Sequence, residues 1–260
     1  MSDNTSDGDT KLIVTRDGSH TVYSSQFDQH YHNPNGAIAE SKHVFFEQTD
    51  LLDALKSQSE ITILEIGFGT GLNLMLLLDY YLDSNSQATI NFYSIEGFPL
   101  DADEAQSLNY GQHLHHPEIS KQVLNIFSNL DGGMNYFSFL DNISAYIFNG
   151  MFTDFPEKNI GVEYIFHDAF SPDANPDLWT GNVFQKLRSL SAHDAMLTTY
   201  CAASQAQGTL AWAGWHVAKT QGALGKREMI VASLDAGKLS HLKRINEEHY
   251  ARRYEEGDFD

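Results

Sequence analysis

The 260-residue chain holds a single cysteine, Cys201. One thiol closes no disulfide within the chain and builds no thiolate metal cluster. Beside "TTY" on an apolar stretch it reads as a small core residue. Prolines number only six, and no Pro-, Gly- or Ser-rich linker divides the sequence. No apolar run approaches the ~20 residues that a membrane-crossing helix needs. The opening "MSDNTSDGDT" is polar and acidic, without the basic-then-apolar order of a signal peptide, which points to a cytoplasmic protein. Basic side chains are scarce: 16 Lys and Arg stand against 35 Asp and Glu, a formal net charge of −19. Phosphate backbones recruit Lys and Arg, so a broad nucleic-acid-binding face is disfavoured and only a local basic patch is left open. There is no HExxH, and the histidines gathered in "QHLHHPE" predict no metal site.

What is present is an alternation of strands and helices. "KLIVTRDGSHTVYS" alternates about Asp17-Gly18 as a hairpin does. Asn33 to Gly36 is a turn, and Ala37 to Leu55 carries helical spacing. "ITILEI", "TINFYSIE", "GVEYIFHDAF" and "AMLTTYC" read as core strands, each followed by a helical stretch. "MNYFSFLDNISAYIFNG" gives two short strands about Asp141-Asn142, and "WHVAKT" with "REMIVASL" a terminal hairpin. The pattern predicts one α/β domain with a mostly parallel sheet. Residues 1–10 are expected as a disordered tail and 11–241 as the domain, split into an extension over 11–58 and a Rossmann-like core over 59–241. Residues 242–260 are expected as a charged C-terminal tail.

The segment "EIGFGTGLN" carries the chemistry. Gly67, Gly69 and Gly71 fall between a strand and a helix. A Walker loop would need Lys-Ser/Thr after its last glycine, where Leu72-Asn73 stand. A dinucleotide fingerprint would place a small residue at Leu72, so a nicotinamide-binding oxidoreductase is disfavoured. Glu65 ends the strand before the turn and Glu96 ends the next. Bare backbone beside a carboxylate that can accept from two ribose hydroxyls suits S-adenosyl-L-methionine, which has no phosphate. Asp168 ends a third core strand, at the sheet edge where ligands of open α/β sheets bind. A carboxylate there can orient an amine and take its proton. Phe170 and Trp179 can stack on a base or pack the core.

These motifs resemble the MnmC-like tRNA wobble-uridine methyltransferase family. "YHNPNGAIAESKHVF", "EIGFGTGLN", "IEGFPL", "DAFSPDANPDLWT" and "GKREM" lie in family order between about residues 27 and 232. The resemblance implies a class I methyltransferase: a seven-stranded Rossmann-like sheet with an antiparallel last strand, extended by an N-terminal hairpin. It implies S-adenosyl-L-methionine-dependent methylation of 5-aminomethyl-(2-thio)uridine at the tRNA wobble position, with tRNA as partner. A separate flavin-dependent or aminomethyl-forming enzyme would supply the substrate, since no oxidase half is recognised. The catalytic residue falls on Asp168. Cofactor binding falls on Glu65, Gly67, Phe68, Gly69, Gly71, Glu96, Tyr31 and Glu40, and substrate binding on Phe170, Lys226 and Arg227. Where the family has a Gly-Asp pair for adenine, this chain has Gly150-Met151. The acidity favours an alternative, the same cofactor with a small-molecule or protein substrate. Loss of activity with retention of the fold is a further one.

Overall fold

The computed structural model describes residues 10–259. The tail expected over 1–10 therefore lies outside the described residues, except Thr10, which opens the first strand. β1 (Thr10–Val14), β2 (His20–Ser24) and β3 (Gln29–His30) form a small antiparallel sheet, its first turn at Asp17-Gly18 as the sequence predicts. The segment expected as one helix from 37 to 55 is broken. α1 (Ala37–Ser41) widens into a π turn over Lys42–Phe46, and α2 (Leu51–Ser57) follows separately. Val44, Phe45 and Phe46 are all buried. Three consecutive apolar residues do not fit the stripe of a 3.6-residue helix, and widening the turn brings them all inward.

The main sheet contains β4 (Glu60–Ile66), β5 (Thr89–Glu96), β6 (Gly133–Phe139), β7 (Ile143–Asn149), β8 (Val162–His167), β9 (Ser191–Thr199), β10 (His216–Thr220), β11 (Met229–Ser233) and β12 (Lys243–Arg244). Their spatial order is β12-β10-β11-β9-β8-β4-β5-β7-β6. β7, β5, β4, β8 and β9 run parallel, and β11 lies antiparallel between β9 and β10. This is the expected seven-stranded core with its reversed last strand. β6 and β12 add an antiparallel edge on either side, making nine. β4 is buried from Ile61 to Ile66, as a central strand covered on both faces must be.

α3 (Leu72–Asp83) covers one face, with α4 (Ala102–Gln106) and α5 (Glu118–Leu124) beside it. α6 (Gly181–Leu190) and α7 (Ser204–Trp212) cover the other. The segment expected as charged tail is docked. β12 pairs with β10, and α8 (Glu247–Glu255) lies on α7, where Tyr254 packs edge-on against Trp212 and accepts the Gly181 amide at 3.1 Å. Most of its charges face solvent, while Glu247 accepts the Val217 amide at 3.2 Å, so composition alone hides the attachment. No helix among the described residues is long and apolar enough to cross a membrane.

Candidate active site

Strand periodicity decides which side chains meet at the carboxyl edge. Glu65, Ser94 and Asp168 fall in phase with Ile63, Phe92 and Phe166, on the face that α3 covers. The chain after β4 turns through Gly67, Gly69 and Gly71, all with positive φ. Gly67 is indispensable to the geometry: at φ +94, a Cβ there would lie 2.8 Å from the Asp168 carbonyl oxygen. The Asp168 amide donates to the Ile66 carbonyl at 3.0 Å, holding the two strand ends together.

Between these strand ends opens a cavity whose empty space, counting the part open to solvent, is about 690 Å³. Bare backbone lines it at Gly67, Gly69, Gly97 and Gly150, with the carboxylates of Glu96 and Asp168. Tyr31, Phe27, Phe98, Phe170 and Tyr200 supply aromatic walls. Phe27, from the loop between β2 and β3, stacks on Phe170 with ring centres 4.6 Å apart and meets Phe98 edge-on. Glu96 accepts the Gly69 and Phe98 amides, each at 2.8 Å. Burial pushes its carboxyl up from the ordinary range, and those amides oppose the rise. A carboxylate has further lone pairs, so two ribose hydroxyls can still be accepted.

Asp168 sits among acids. Its pKa is raised well above the ordinary value by burial, by Glu65 and by Glu40, with Asn73 and Lys226 acting the other way. Glu65 is fully buried and pushed up to about 8, chiefly by desolvation. The Asn73 amide nitrogen donates to both acids, at 2.9 Å to Glu65 Oε1 and 2.9 Å to Asp168 Oδ2, while Ser94 donates to Glu65 Oε2 at 2.6 Å.

The structure brings together Tyr31, Gly67, Gly69, Glu96, Asp168 and Phe170 of the sequence-predicted residues. It separates the others. Glu65 does not line the cavity: it lies beneath the first turn of α3, held by Asn73 and Ser94 and sharing the Asn73 nitrogen with Asp168. Phe68 and Gly71 pack in the core against Phe127 and Val123. Glu40 accepts the Asn33 amide at 2.8 Å and pairs with Lys226 Nζ at 3.1 Å. That pair lines a second cavity of about 920 Å³ that shares the Tyr31 and Tyr200 walls with the first. Arg227 is exposed beside Glu228. Trp179 is a core residue, its indole donating to the Phe170 carbonyl at 2.7 Å. Cys201 is buried, its thiol pushed up by desolvation. His115 and His116 face Asp83, and their amides donate to Asp79, which fastens the chain before α5 to α3.

Phe27, Phe98, Met151, Tyr200 and Asn73 were not selected from the sequence as site residues. Three of them stand in segments the resemblance marks: Asn73 ends "GFGTGLN", Phe98 lies in "IEGFPL", and Met151 is half of the Gly150-Met151 pair. Met151 lines the cavity with Gly150, so the segment that departs from the family pattern still forms a wall.

The fold and this cavity define a class I S-adenosyl-L-methionine-dependent methyltransferase. The family described as S-adenosyl-L-methionine-dependent methyltransferase matches residues 118–235. Among curated proteins, the chain is 35% identical over 219 residues to the tRNA 5-methylaminomethyl-2-thiouridine biosynthesis bifunctional protein MnmC of Leptospira interrogans, covering 82% of this chain and 34% of that protein. It is 31% identical over 212 residues to the protein of the same name from Campylobacter hominis, covering 81% of this chain and 31% of that one. The chain thus spans about a third of the length of the curated relatives it matches. The crystal structure of MNMC2 from Aquifex aeolicus superimposes with a TM-score of 0.75 at 24% identity, over 96% of this chain and 77% of that one, a likeness of fold. The chain is thus similar, over about four fifths of its own length, to one part of these bifunctional proteins.

Proposed function

We propose that this protein methylates the primary amine of 5-aminomethyl-(2-thio)uridine at the wobble position of tRNA, as a cytoplasmic enzyme. The observation that carries this reading is a carboxylate in a cavity suited to a phosphate-free cofactor. Asp168 stands at the sheet edge beside bare glycine backbone, with Glu96 across the cavity. No Lys or Arg is in the described lining, which fits a ligand whose reactive end is cationic and which lacks phosphate. Glu96 would hold the ribose, and the backbone at Gly67 and Gly69 the amino-acid portion. Gly150 and Met151 would bound the adenine. When bound, S-adenosyl-L-methionine supplies a methyl group on a sulfonium.

The chain's own residues prepare the acceptor. An alkylamine is mostly protonated near neutrality and has no lone pair in that form. Asp168 orients the amine and accepts its proton. A proton affinity raised above that of an ordinary aspartate suits a general base. The second cavity would admit the nucleoside past Tyr31 and Tyr200, and Phe170 would meet its base. Lys226 stands over the Tyr200 ring at 4.8 Å, where it and Arg227 would receive flanking phosphates. A separate enzyme would generate the aminomethyl group.

The test is nucleoside analysis of hypomodified tRNA after incubation with the protein and methyl-labelled cofactor. Label is expected in 5-methylaminomethyl-(2-thio)uridine. Label confined to protein or small molecules, with none in nucleic acid, would establish the alternative substrate class.

A further inference from the structure

The acid at the centre of the proposed chemistry is held by a residue outside the cavity lining. Asn73 lies in the first turn of α3, buried, with its Nδ2 at 2.9 Å from both Glu65 Oε1 and Asp168 Oδ2. Its Oδ1 is buried without a partner. In the ionised form that takes the amine's proton, Asp168 can only accept, so that form requires the donor orientation of Asn73. A buried Asn that leaves its acceptor unmet in order to donate twice is costly as mere packing. We infer that Asn73 is a positioning residue for methyl transfer, clamping Asp168 toward the cavity and favouring its ionised form through a hydrogen bond. This inference rests on the role of Asp168 proposed above.

Every other group facing Asp168 bears on the same proton. Glu65 on β4 and Glu40 on α1 raise its affinity, Lys226 in the loop before β11 lowers it, and the phenols of Tyr110 and Tyr200 lie within its field. Asn73 is the neutral donor in that set. A hydrogen bond to the charged form of an acid lowers its pKa. Without the Asn73 donor, Asp168 would hold its proton to higher pH and its side chain would be free to turn.

The test uses the full chain with Asn73→Leu, which keeps the branching and heavy-atom count of Asn but has no donor. The kcat–pH profile of methyl transfer should move its acid limb up by at least one pH unit, and kcat at pH 7 should fall at least tenfold. Cofactor Kd should change less than about threefold. In parallel, 13C carboxylate NMR of the protein without substrate should show the Asp168 titration moved up in the variant, the resonance being assigned by its loss in Asp168→Asn. An unmoved acid limb and an unmoved Asp168 titration would overturn the inference. The NMR arm reads the clamp independently of substrate: a titration moved up in Asn73→Leu, beside a wild type without activity on tRNA, would leave the clamp standing and remove the substrate reading. Should Asn73→Leu fail to fold, Asn73→Ser, which shortens the donor, is read by the same two criteria.

Discussion

At the scale of single residues, four side chains and one glycine each give a readout of their own. Asp168→Asn should reduce kcat by about 100-fold or more, the usual worth of a general base, while a calorimetric titration shows cofactor binding retained. Gly67→Ala forces a Cβ to within 2.8 Å of a backbone carbonyl at a positive φ. It should lower stability by about 1–3 kcal/mol, read by denaturant unfolding, and weaken cofactor binding as the turn shifts. Glu65 gives a pH prediction whose sign is fixed. Its folded pKa of about 8 lies above the ordinary 4.5, so its contribution to stability is complete at low pH and is lost as pH rises toward 8. His32 and His167 are depressed to about 4 by burial. They act oppositely, and their contribution is lost as pH falls from 6.5 toward 4. Between pH 6.5 and 8 the Glu65 effect therefore stands clear of theirs. Stability should decline there by up to about 1.4 kcal/mol per pH unit, and Glu65→Gln should flatten the decline. An unchanged slope in that variant would remove the buried, protonated Glu65 from the picture.

At the scale of elements, what the sequence made legible depended on whether function left a local pattern. Strand, turn and helix around "EIGFGTGLN" were readable because positive-φ positions demand glycine and buried parallel strands demand continuous apolar runs. Glu96 and Asp168 were readable as strand ends. The cavity's aromatic walls were not, because Phe27, Phe98 and Tyr200 stand singly in loops and meet only after the chain folds. Glu65 was readable as a strand end too, but its place beneath the first turn of α3, one shared donor away from Asp168, depends on where the helix packs. The break after Ser41 needed the knowledge that three neighbouring apolar residues are all buried. β12 and α8 read as a solvated tail, yet Tyr254 bonds the start of α6 and Phe259 lies so close to Gly208 that a Cβ there would be 2.6 Å away. Deleting 243–259 should uncover Trp212 and that face of α7. At about 2–4 °C per kcal/mol for a domain of this size, the melting temperature should drop by about 5 °C or more; an unchanged value would show the segment adds nothing to the domain.

At the scale of the whole molecule, the charge of −19 and the proposed tRNA substrate pull against each other. The fold eases the tension only locally. Antiparallel pairing sets Lys219 opposite Lys243, joining two basic clusters that are far apart in sequence, with Arg227 near by. Several of these cations are already engaged: Lys219 with Glu228 at 2.9 Å, Lys226 with Glu40, Arg244 with Glu247 at 2.9 Å, and Arg252 with Glu248 at 3.1 Å. Few phosphates can be neutralised, so tRNA affinity should fall only gently with salt, with a log–log slope no steeper than about −3. A slope near −8 would require a basic surface that this chain does not show. Both the substrate and the chemistry meet in one experiment: single-turnover transfer of labelled methyl to tRNA bearing 5-aminomethyl-(2-thio)uridine, with wild-type protein and Asp168→Asn each saturated with S-adenosyl-L-methionine. The expected result is stoichiometric label on the uridine amine from the wild type and a rate at least 100-fold slower from the variant. Equal rates from the two proteins would contradict a carboxylate that takes the amine's proton.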